Sequence, residues 1–433
     1  MSRSAESSSA TGSRRQFLQS SGAVLAGATL ATAPALGNFH VAGDEILKIG
    51  LIGCGGRGTG AATQALNADP HVRLISMGDA FPDHLQSSLK ALRRDDAIRE
   101  KVDVKDDHCF TGLDAYKQVL ASDVDVVLLT TPPHFRPIHI KAAVEAGKHI
   151  FAEKPCCVDA TGARSVFESC LEAKKRNRAV VTGLCYRYDP AKREIMKRIH
   201  DGAIGDIVAL HTTYNTGFLW NRPRKPEWSD MEWQMRNWLY FTWLSGDHIV
   251  EQHVHSLDKM AWAMKNEYPV KAVGTGGRQV RTAPEFGNIF DHHAVVFEYA
   301  NGVKLFSYCR QQDFCKKDVS DYVIGTKGVA DIMNHSIKGE KPWKIRGEAP
   351  DVMYQKEHDA LFASIRAGNP INDGDFMTKS ALMGIMGRMA TYTGQLVTWD
   401  GLMRSKEKLG PDHYEFGSMA VEPVAMPGRT KLV

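Results

Sequence analysis

The apolar positions of this chain fall into two regimes. In the first, short runs that are apolar on both faces alternate with helical stretches. Ile46–Ile52 (ILKIGLI), Val72–Gly78, Val124–Thr130, His149–Ala152 and Ala179–Leu184 read as strands. Helical spacing begins near Thr59 and recurs over Leu113–Ala121, over His139–Ala146 (closed by Gly147), and over Asp159–Lys175. Strands with no polar face, separated by helices, belong to a parallel sheet covered on both sides. The expectation is a doubly wound α/β domain over residues 46–185.

After Tyr186 the period changes. A helix over Pro190–Asp201 leads into longer, alternating strands at Asp206–Tyr214, Pro269–Arg278, His292–Tyr299, Val303–Gln311 and Val319–Gly325. Asn301-Gly302 between two of them is a hairpin signal. Helices return at Glu357–Ala367 and Thr378–Thr393. Residues 186–433 therefore read as an α+β domain around a large, open, mainly antiparallel sheet.

Bulk chemistry narrows the functions. The 433 residues carry a net charge of +4, with both signs in most segments, which is too diffuse for nucleic-acid binding. No apolar run is long enough for a stable membrane span. The eight cysteines include the adjacent pair Cys156–Cys157 and a glycine-loop residue, Cys54, a pattern of reduced thiols rather than a disulfide framework. Near the N-terminus, Ser13-Arg14-Arg15-Gln16-Phe17-Leu18 precedes an apolar stretch from Ala23 to Ala33, and Ala33-Pro34-Ala35 offers small residues for cleavage. This reads as a twin-arginine signal over residues 1–35, hence export of a folded protein to the periplasm or another extracytoplasmic space.

The first predicted strand runs into Gly53-Cys54-Gly55-Gly56-Arg57-Gly58, a helix follows, and Asp79 ends the second strand. That context turns a weak glycine motif into a dinucleotide site. Gly53 allows the tight turn, Gly55 the approach of the pyrophosphate, and Gly58 close packing of helix on sheet, while the helix N-terminus faces the phosphates. An acid at Asp79 accepts the ribose hydroxyls and repels a 2′-phosphate, favouring NAD over NADP; Arg57 could weaken that preference. Thr130, Thr131, Pro132 and His134 follow a strand end and are expected to border the ribose and nicotinamide.

Glu153-Lys154-Pro155, with the glycine loop and the segment from His139 to Gly147-Lys148-His149, resembles the Gfo/Idh/MocA oxidoreductase family, glucose–fructose oxidoreductase-like members included. Arg187-Tyr188-x-Pro190, Gly202-x-Ile204-Gly205-Asp206, Arg366-x-Gly368-x-Pro370 and Gly387-Arg388-Met389-Ala390 follow in the same order. The resemblance implies that Glu153 and Lys154 lie beside the nicotinamide, with Lys154 at the reacting hydroxyl and its pKa pushed down by burial near a cationic ring. It also implies an acid and a histidine four residues apart on one helix. Aligning His-x-x-Asp puts them at Glu251 and His255, with Glu251 orienting the imidazole and His255 taking the hydroxyl proton. Glutamate replaces the usual aspartate, and His248 and His253 are extra. His248, Glu251 and His255 share a helical face on which a metal is conceivable, but the family needs none and no metal is expected.

Tyr186 and Arg187 at the domain junction are expected to meet substrate, together with Lys154 and His255. The tryptophan-rich stretch Trp228, Trp233, Trp238 and Trp243 would lend a face or two to a sugar, packing being the commoner use of each. The implied reaction moves a hydride between a sugar or polyol carbon and NAD. Outside the cytoplasm no NAD pool is replenished, so the cofactor would be held tightly. An alternative is transient oxidation within one substrate, as in an NAD-dependent glycoside hydrolase or epimerase. The open sheet has a face that must be covered, and the resemblance implies that a homodimer or homotetramer covers it.

Overall fold

The structure is a computed structural model describing residues 45–347 and 352–433. The expected twin-arginine signal over residues 1–35 lies outside the described residues. The first sheet contains β1 (Leu47–Ile52), β2 (Val72–Asp79), β3 (Cys109–Thr111), β4 (Val126–Leu129), β5 (His149–Ala152) and β6 (Val180–Thr182). Their order is β3-β2-β1-β4-β5-β6, and every pair is parallel. The connecting helices are α1 (Gly56–Ala68), α2 (Pro82–Arg94), α3 (Ala115–Ala121), α4 (Arg136–Glu145) and α5 (Ala160–Lys175). Strands β4 and β5 are buried throughout, which is why their sequences carry no polar face. The chain runs outward from β1 to β2 and β3, then returns past β1 to β4. The crevice between the ends of β1 and β4 is the place where such sheets bind ligands.

The second half holds α6 (Pro190–His200), β7 (Ile207–Thr216), α7 (Asp230–Arg236), α8 (Thr242–Ser245), α9 (His248–Glu251), α10 (Val254–Ala263), β8 (Lys271–Gly277), β9 (His292–Glu298), β10 (Lys304–Gln311) and β11 (Asp318–Gly325). Then come β12 (Gly328–Asp331), β13 (Ser336–Gly339), β14 (Trp343–Lys344), α11 (Met353–Arg366), α12 (Gly374–Thr393), β15 (Val397–Thr398) and α13 (Trp399–Arg404). The nine strands order as β14-β13-β12-β11-β7-β10-β9-β8-β15, with β7 and β10 parallel and the other pairs antiparallel. Leu257 and Met260 of α10 and Ala381, Ile385 and Met389 of α12 share a core with Val295, Phe297 and Leu305, so these helices cover one sheet face. The predicted hairpin forms at Asn301-Gly302, where Gly302 takes φ +84°.

Two differences from the sequence reading bear on the site. Leu361, Phe362 and Ile365 of α11 pack into the core of the first sheet, so the nucleotide-binding layer draws on residues well beyond 185. The tail after α13 straps across both halves. Leu409 N donates to Asp159 at 2.8 Å, Met231 N donates to the Gly417 carbonyl at 3.2 Å, and Tyr414 meets His134.

Candidate functional site

The turn after β1 is built by its glycines. Gly53 sits at φ +99°, and a Cβ there would lie 2.6 Å from Thr131 N. A Cβ on Gly58 would come to 1.9 Å from the Gly53 carbonyl oxygen, so only glycine lets α1 start so close to the loop. Around the Cβ positions of Gly55 and Gly56 there is open space for 4 Å. No side chain caps α1, whose first-turn N–H groups and positive dipole end stay available to an anion. Thr130 Oγ1 donates to the Gly53 carbonyl at 2.5 Å and fastens the loop to the end of β4.

Asp79 closes the other side. Its carboxylate accepts from Cys54 N at 2.5 Å and Phe81 N at 2.8 Å. Cys54 contributes only its backbone, since its thiol is buried and burial pushes its pKa up. A cavity of about 450 Å³ lies here, lined by Gly53, Gly55, Gly56, Arg57, Gly58, Asp79, Thr130, Thr131 and Pro132. Open space over two glycines, an uncapped helix start and a carboxylate at the neighbouring strand end fit a dinucleotide with free ribose hydroxyls.

Several expected contacts fall elsewhere. Arg57 lines the cavity, yet its Nε pairs with Glu153 Oε1 at 2.8 Å, its guanidinium bonds Gln64 and stacks 4.8 Å from the Tyr354 ring centroid. It is committed to the protein rather than poised for a 2′-phosphate. His134 is a correction: it lies outside the lining, buried against Trp243, with Nε2 2.8 Å from Tyr414 Oη. Burial holds its pKa down at about 4. His139 lines the cavity instead, with Nδ1 3.1 Å from Thr131 Oγ1 and burial lowering its pKa to about 3, so it is a neutral ring. Glu153 and Lys154 are also outside this lining; the pair Arg57–Glu153 links the cavity to Lys154.

The far wall comes mostly from the segment after β7. Phe81, Trp220, Arg222, Arg236 and Trp238 complete the cavity. Arg236 lies 3.9 Å over the Phe81 ring and forms a two-pronged pair with Asp83 at 3.0 Å. Of the four flagged tryptophans only Trp238 lines the cavity, while Trp233 and Trp243 are core and Trp228 packs under Arg236. No local pattern could reveal this wall, because it forms only when the segment after β7 folds back over the end of β2.

Beyond Arg57 lies a second cluster. Lys154 Nζ donates to the backbone carbonyl and to Oε1 of Glu251, both at 2.7 Å. Burial pulls the lysine pKa down, but the Glu251 carboxylate more than offsets it, so the net shift is upward. This reverses the expected depression: Glu251 holds Lys154 as an ammonium. Glu251 does not orient His255 either. The helix breaks after Glu251, with Gln252 and His253 between α9 and α10, so the i, i+4 face is interrupted. His255 packs edge-on to Tyr186 at 5.3 Å, its Nδ1 has no hydrogen-bond partner, and burial, with Lys154 and Lys259 adding, drives its pKa well below the usual value. Tyr186 rests on Lys259, 4.1 Å from the ring centroid.

Arg187 is a further correction. Its guanidinium pairs with Asp258 through Nε and Nη2, the latter at 2.8 Å, and lies between the Trp262 and Phe376 rings. It is 8% exposed and serves hinge packing.

Comparison with known proteins agrees with this architecture. Residues 47–182 match the profile described as "Oxidoreductase family, NAD-binding Rossmann fold", and residues 193–331 match the GFO/IDH/MocA C-terminal domain. An inositol 2-dehydrogenase of Serratia proteamaculans is 26% identical over 289 residues, 66% of this chain and 73% of that protein. An inositol 2-dehydrogenase of Burkholderia cenocepacia is 24% identical, over 74% of this chain and 87% of that protein. Among solved structures, the aldose-aldose oxidoreductase from Caulobacter crescentus, complexed with glycerol, shares the fold with a TM-score of 0.63 at 18% identity, covering 82% of this chain and all (100%) of that one. GenD2 from gentamicin A biosynthesis, in complex with NAD, has a TM-score of 0.62 at 18% identity, covering 82% and 96%. With both halves matched in order around the glycine loop, Asp79 and Glu153-Lys154-Pro155, the chain belongs to the Gfo/Idh/MocA family of NAD-binding oxidoreductases.

Proposed function

We propose that this protein moves a hydride between a carbinol carbon of a sugar or cyclic polyol and NAD, with Lys154 and His255 acting on the hydroxyl. The protein is an oxidoreductase acting on CH–OH groups, and the relatives named inositol 2-dehydrogenase support a polyhydroxylated substrate. The observation that carries the reading is the half-buried Lys154–Glu251 pair beside a neutral His255 whose Nδ1 has no hydrogen-bond partner.

Bound NAD supplies the hydride acceptor and, in reverse, the donor. Asp79 holds the adenosine ribose, and its charge together with the commitment of Arg57 to Glu153 favours NAD over NADP. Lys154, protonated, spends two N–H groups on Glu251 and keeps a third for the substrate oxygen. A fixed ammonium there lowers the cost of negative charge developing on that oxygen. His255, kept neutral by burial, accepts the hydroxyl proton and returns it in the reverse direction. Tyr186 orders the imidazole edge-on. Its own phenol is pushed far above the usual value by burial, making it a poor base for abstracting a C–H proton. That favours simple redox chemistry over the elimination used by an NAD-dependent glycoside hydrolase.

The twin-arginine stretch supports export, and with it a cofactor kept between turnovers; the wall of Trp220, Trp238 and Arg236 supports retention. The sheet face opposite α10 and α12 carries partly exposed Val273, Val296, Phe306 and Tyr308, which supports a homodimer or homotetramer.

The test is to mix purified protein and NAD with inositols, aldoses and alditols and follow the absorbance of reduced nicotinamide. A signal with a member of the panel, absent in Lys154→Ala, supports the reading. Glycoside cleavage without net reduction would replace it with the hydrolase alternative.

A further inference from the structure

The extra histidine His248, which plays no part in the reaction above, sits in a cluster of its own. Asp247, His248 and His293 are fully enclosed, and one donor atom from each lies within 4.8 Å of the others. Asp247 and His248 stand at the start of α9, and His293 faces them from β9.

Three imidazole nitrogens of this cluster, His248 Nδ1, His248 Nε2 and His293 Nε2, make no hydrogen bond to protein atoms. The Thr391 hydroxyl lies 2.9 Å from His293 Nδ1, 3.1 Å from the Gly387 carbonyl and 3.0 Å from that of Arg388, so it can accept from His293 Nδ1–H while donating to a carbonyl of its own helix. His293 Nε2 faces Asp247 Oδ1 at 3.3 Å without hydrogen-bond geometry. His248 Nδ1 lies 2.8 Å from the same oxygen without hydrogen-bond geometry, and His248 Nε2 has no partner. The carboxylate is not there by accident. Its Oδ2 accepts from Phe290 N at 2.9 Å and Tyr392 Oη at 2.6 Å, its Oδ1 accepts from His248 N at 2.5 Å, and the Asp247 backbone holds φ +75°, a conformation unfavourable for a residue with a side chain. Arg281, nearby, donates to Gln311 and the Phe290 carbonyl, and Asp247 acts on its charge more strongly than Asp291 does.

We propose that Asp247, His248 and His293 bind a divalent transition-metal ion, zinc by its donor set. Two imidazoles and one carboxylate are borderline ligands that suit zinc, cobalt or nickel rather than magnesium or calcium. A tetrahedral ion with bonds of about 2.0–2.2 Å holds its ligand atoms about 3.5 Å apart, so small ring rotations close the cluster. Thr391 is the outer partner: with His293 Nδ1–H donating to its hydroxyl, Nε2 is left for the metal. Three protein donors leave one position for water. The ion sits behind the reaction centre: Glu251 N donates to the Asp247 carbonyl at 2.9 Å, so the metal would brace the turn that carries the partner of Lys154.

The test uses the whole chain, expressed in medium supplemented with zinc or with cobalt, desalted, and measured by elemental analysis. Expected is about one ion per chain, a cobalt form with the intense visible bands of a tetrahedral site, and loss of both in His248→Gln and in His293→Gln. Lys154→Ala should keep the metal, which separates this site from the redox reading. Wild-type protein free of metal after both growths would overturn the proposal, leaving water to satisfy the orphaned nitrogens. So would a metal content unchanged in the two histidine variants, which would put the ion elsewhere. Should one variant fail to fold, the other decides: metal lost from a folded His248→Gln or His293→Gln supports the site, and metal retained in it overturns the proposal.

Discussion

Lys154 Nζ and Glu251, 97 residues apart in the chain, meet at 2.7 Å through both the backbone carbonyl and the carboxylate of Glu251. The carboxylate fixes the charge of the lysine and the carbonyl fixes its direction. Lys154→Ala should lower turnover by about 10²–10⁴-fold while nucleotide stays bound. Equal loss of both would make Lys154 structural.

The charge on Glu251 sets a pH dependence. Lys154 is held above its usual value of 10.5 because Glu251 outweighs burial. In Glu251→Gln burial acts with less opposition, the lysine pKa falls, and the ammonium is lost at lower pH. The alkaline limb of the kcat/KM profile should therefore move to lower pH, by about one unit or more. An unmoved limb would mean that Lys154 does not titrate in the reaction.

The glycine loop separates binding from folding. Gly55→Ala meets no protein atom within 4 Å, whereas Gly58→Ala drives a methyl into the Gly53 carbonyl. Gly55→Ala should keep the melting temperature and weaken NAD binding by about tenfold or more, since the methyl enters the cofactor's space. Gly58→Ala should lower the melting temperature as well. Calorimetry and NAD titration on the two variants check this; matched behaviour would contradict the assigned roles.

Asp79→Ala removes the ribose acceptor and also the acceptor of two buried amides, Cys54 N and Phe81 N. Weaker NAD retention, a smaller preference over NADP and a stability loss of about 1–3 kcal/mol are expected. Unchanged retention in a nucleotide-release assay would take Asp79 out of the site.

Arg187→Ala leaves the buried Asp258 carboxylate without its cation. A loss of about 3–5 kcal/mol in denaturant unfolding is expected, with KM for the sugar little changed in protein that remains folded. A large KM effect with intact stability would restore Arg187 to the substrate pocket.

The first sheet was legible because buried parallel strands announce themselves as apolar runs. The glycine loop and Asp79 were legible because their roles need particular residues at particular spacings. Strand β3, two half-buried residues and an exposed Thr111, has no such signature, and the buried face of α2 shows only in the spacing of Leu85, Leu89 and Leu92. The family resemblance pairs Glu251 with His255, whereas the helix breaks at Gln252 and His253 and the carboxylate meets Lys154 instead. His134 and Arg187 were misplaced for a related reason, since their neighbours Tyr414 and Asp258 come from distant segments. The third donor of the histidine cluster, His293, lies on a strand whose alternation marks only which side is buried.

Transfer of a labelled hydrogen tests the central claim most directly. Inositols and aldoses carrying deuterium at their carbinol carbons would be incubated with NAD-loaded protein, and the nucleotide recovered and weighed by mass spectrometry. The account predicts deuterium in the nicotinamide with at least one substrate, and none in Lys154→Ala. Nucleotide that stays bound yet never acquires deuterium from any of them would contradict it.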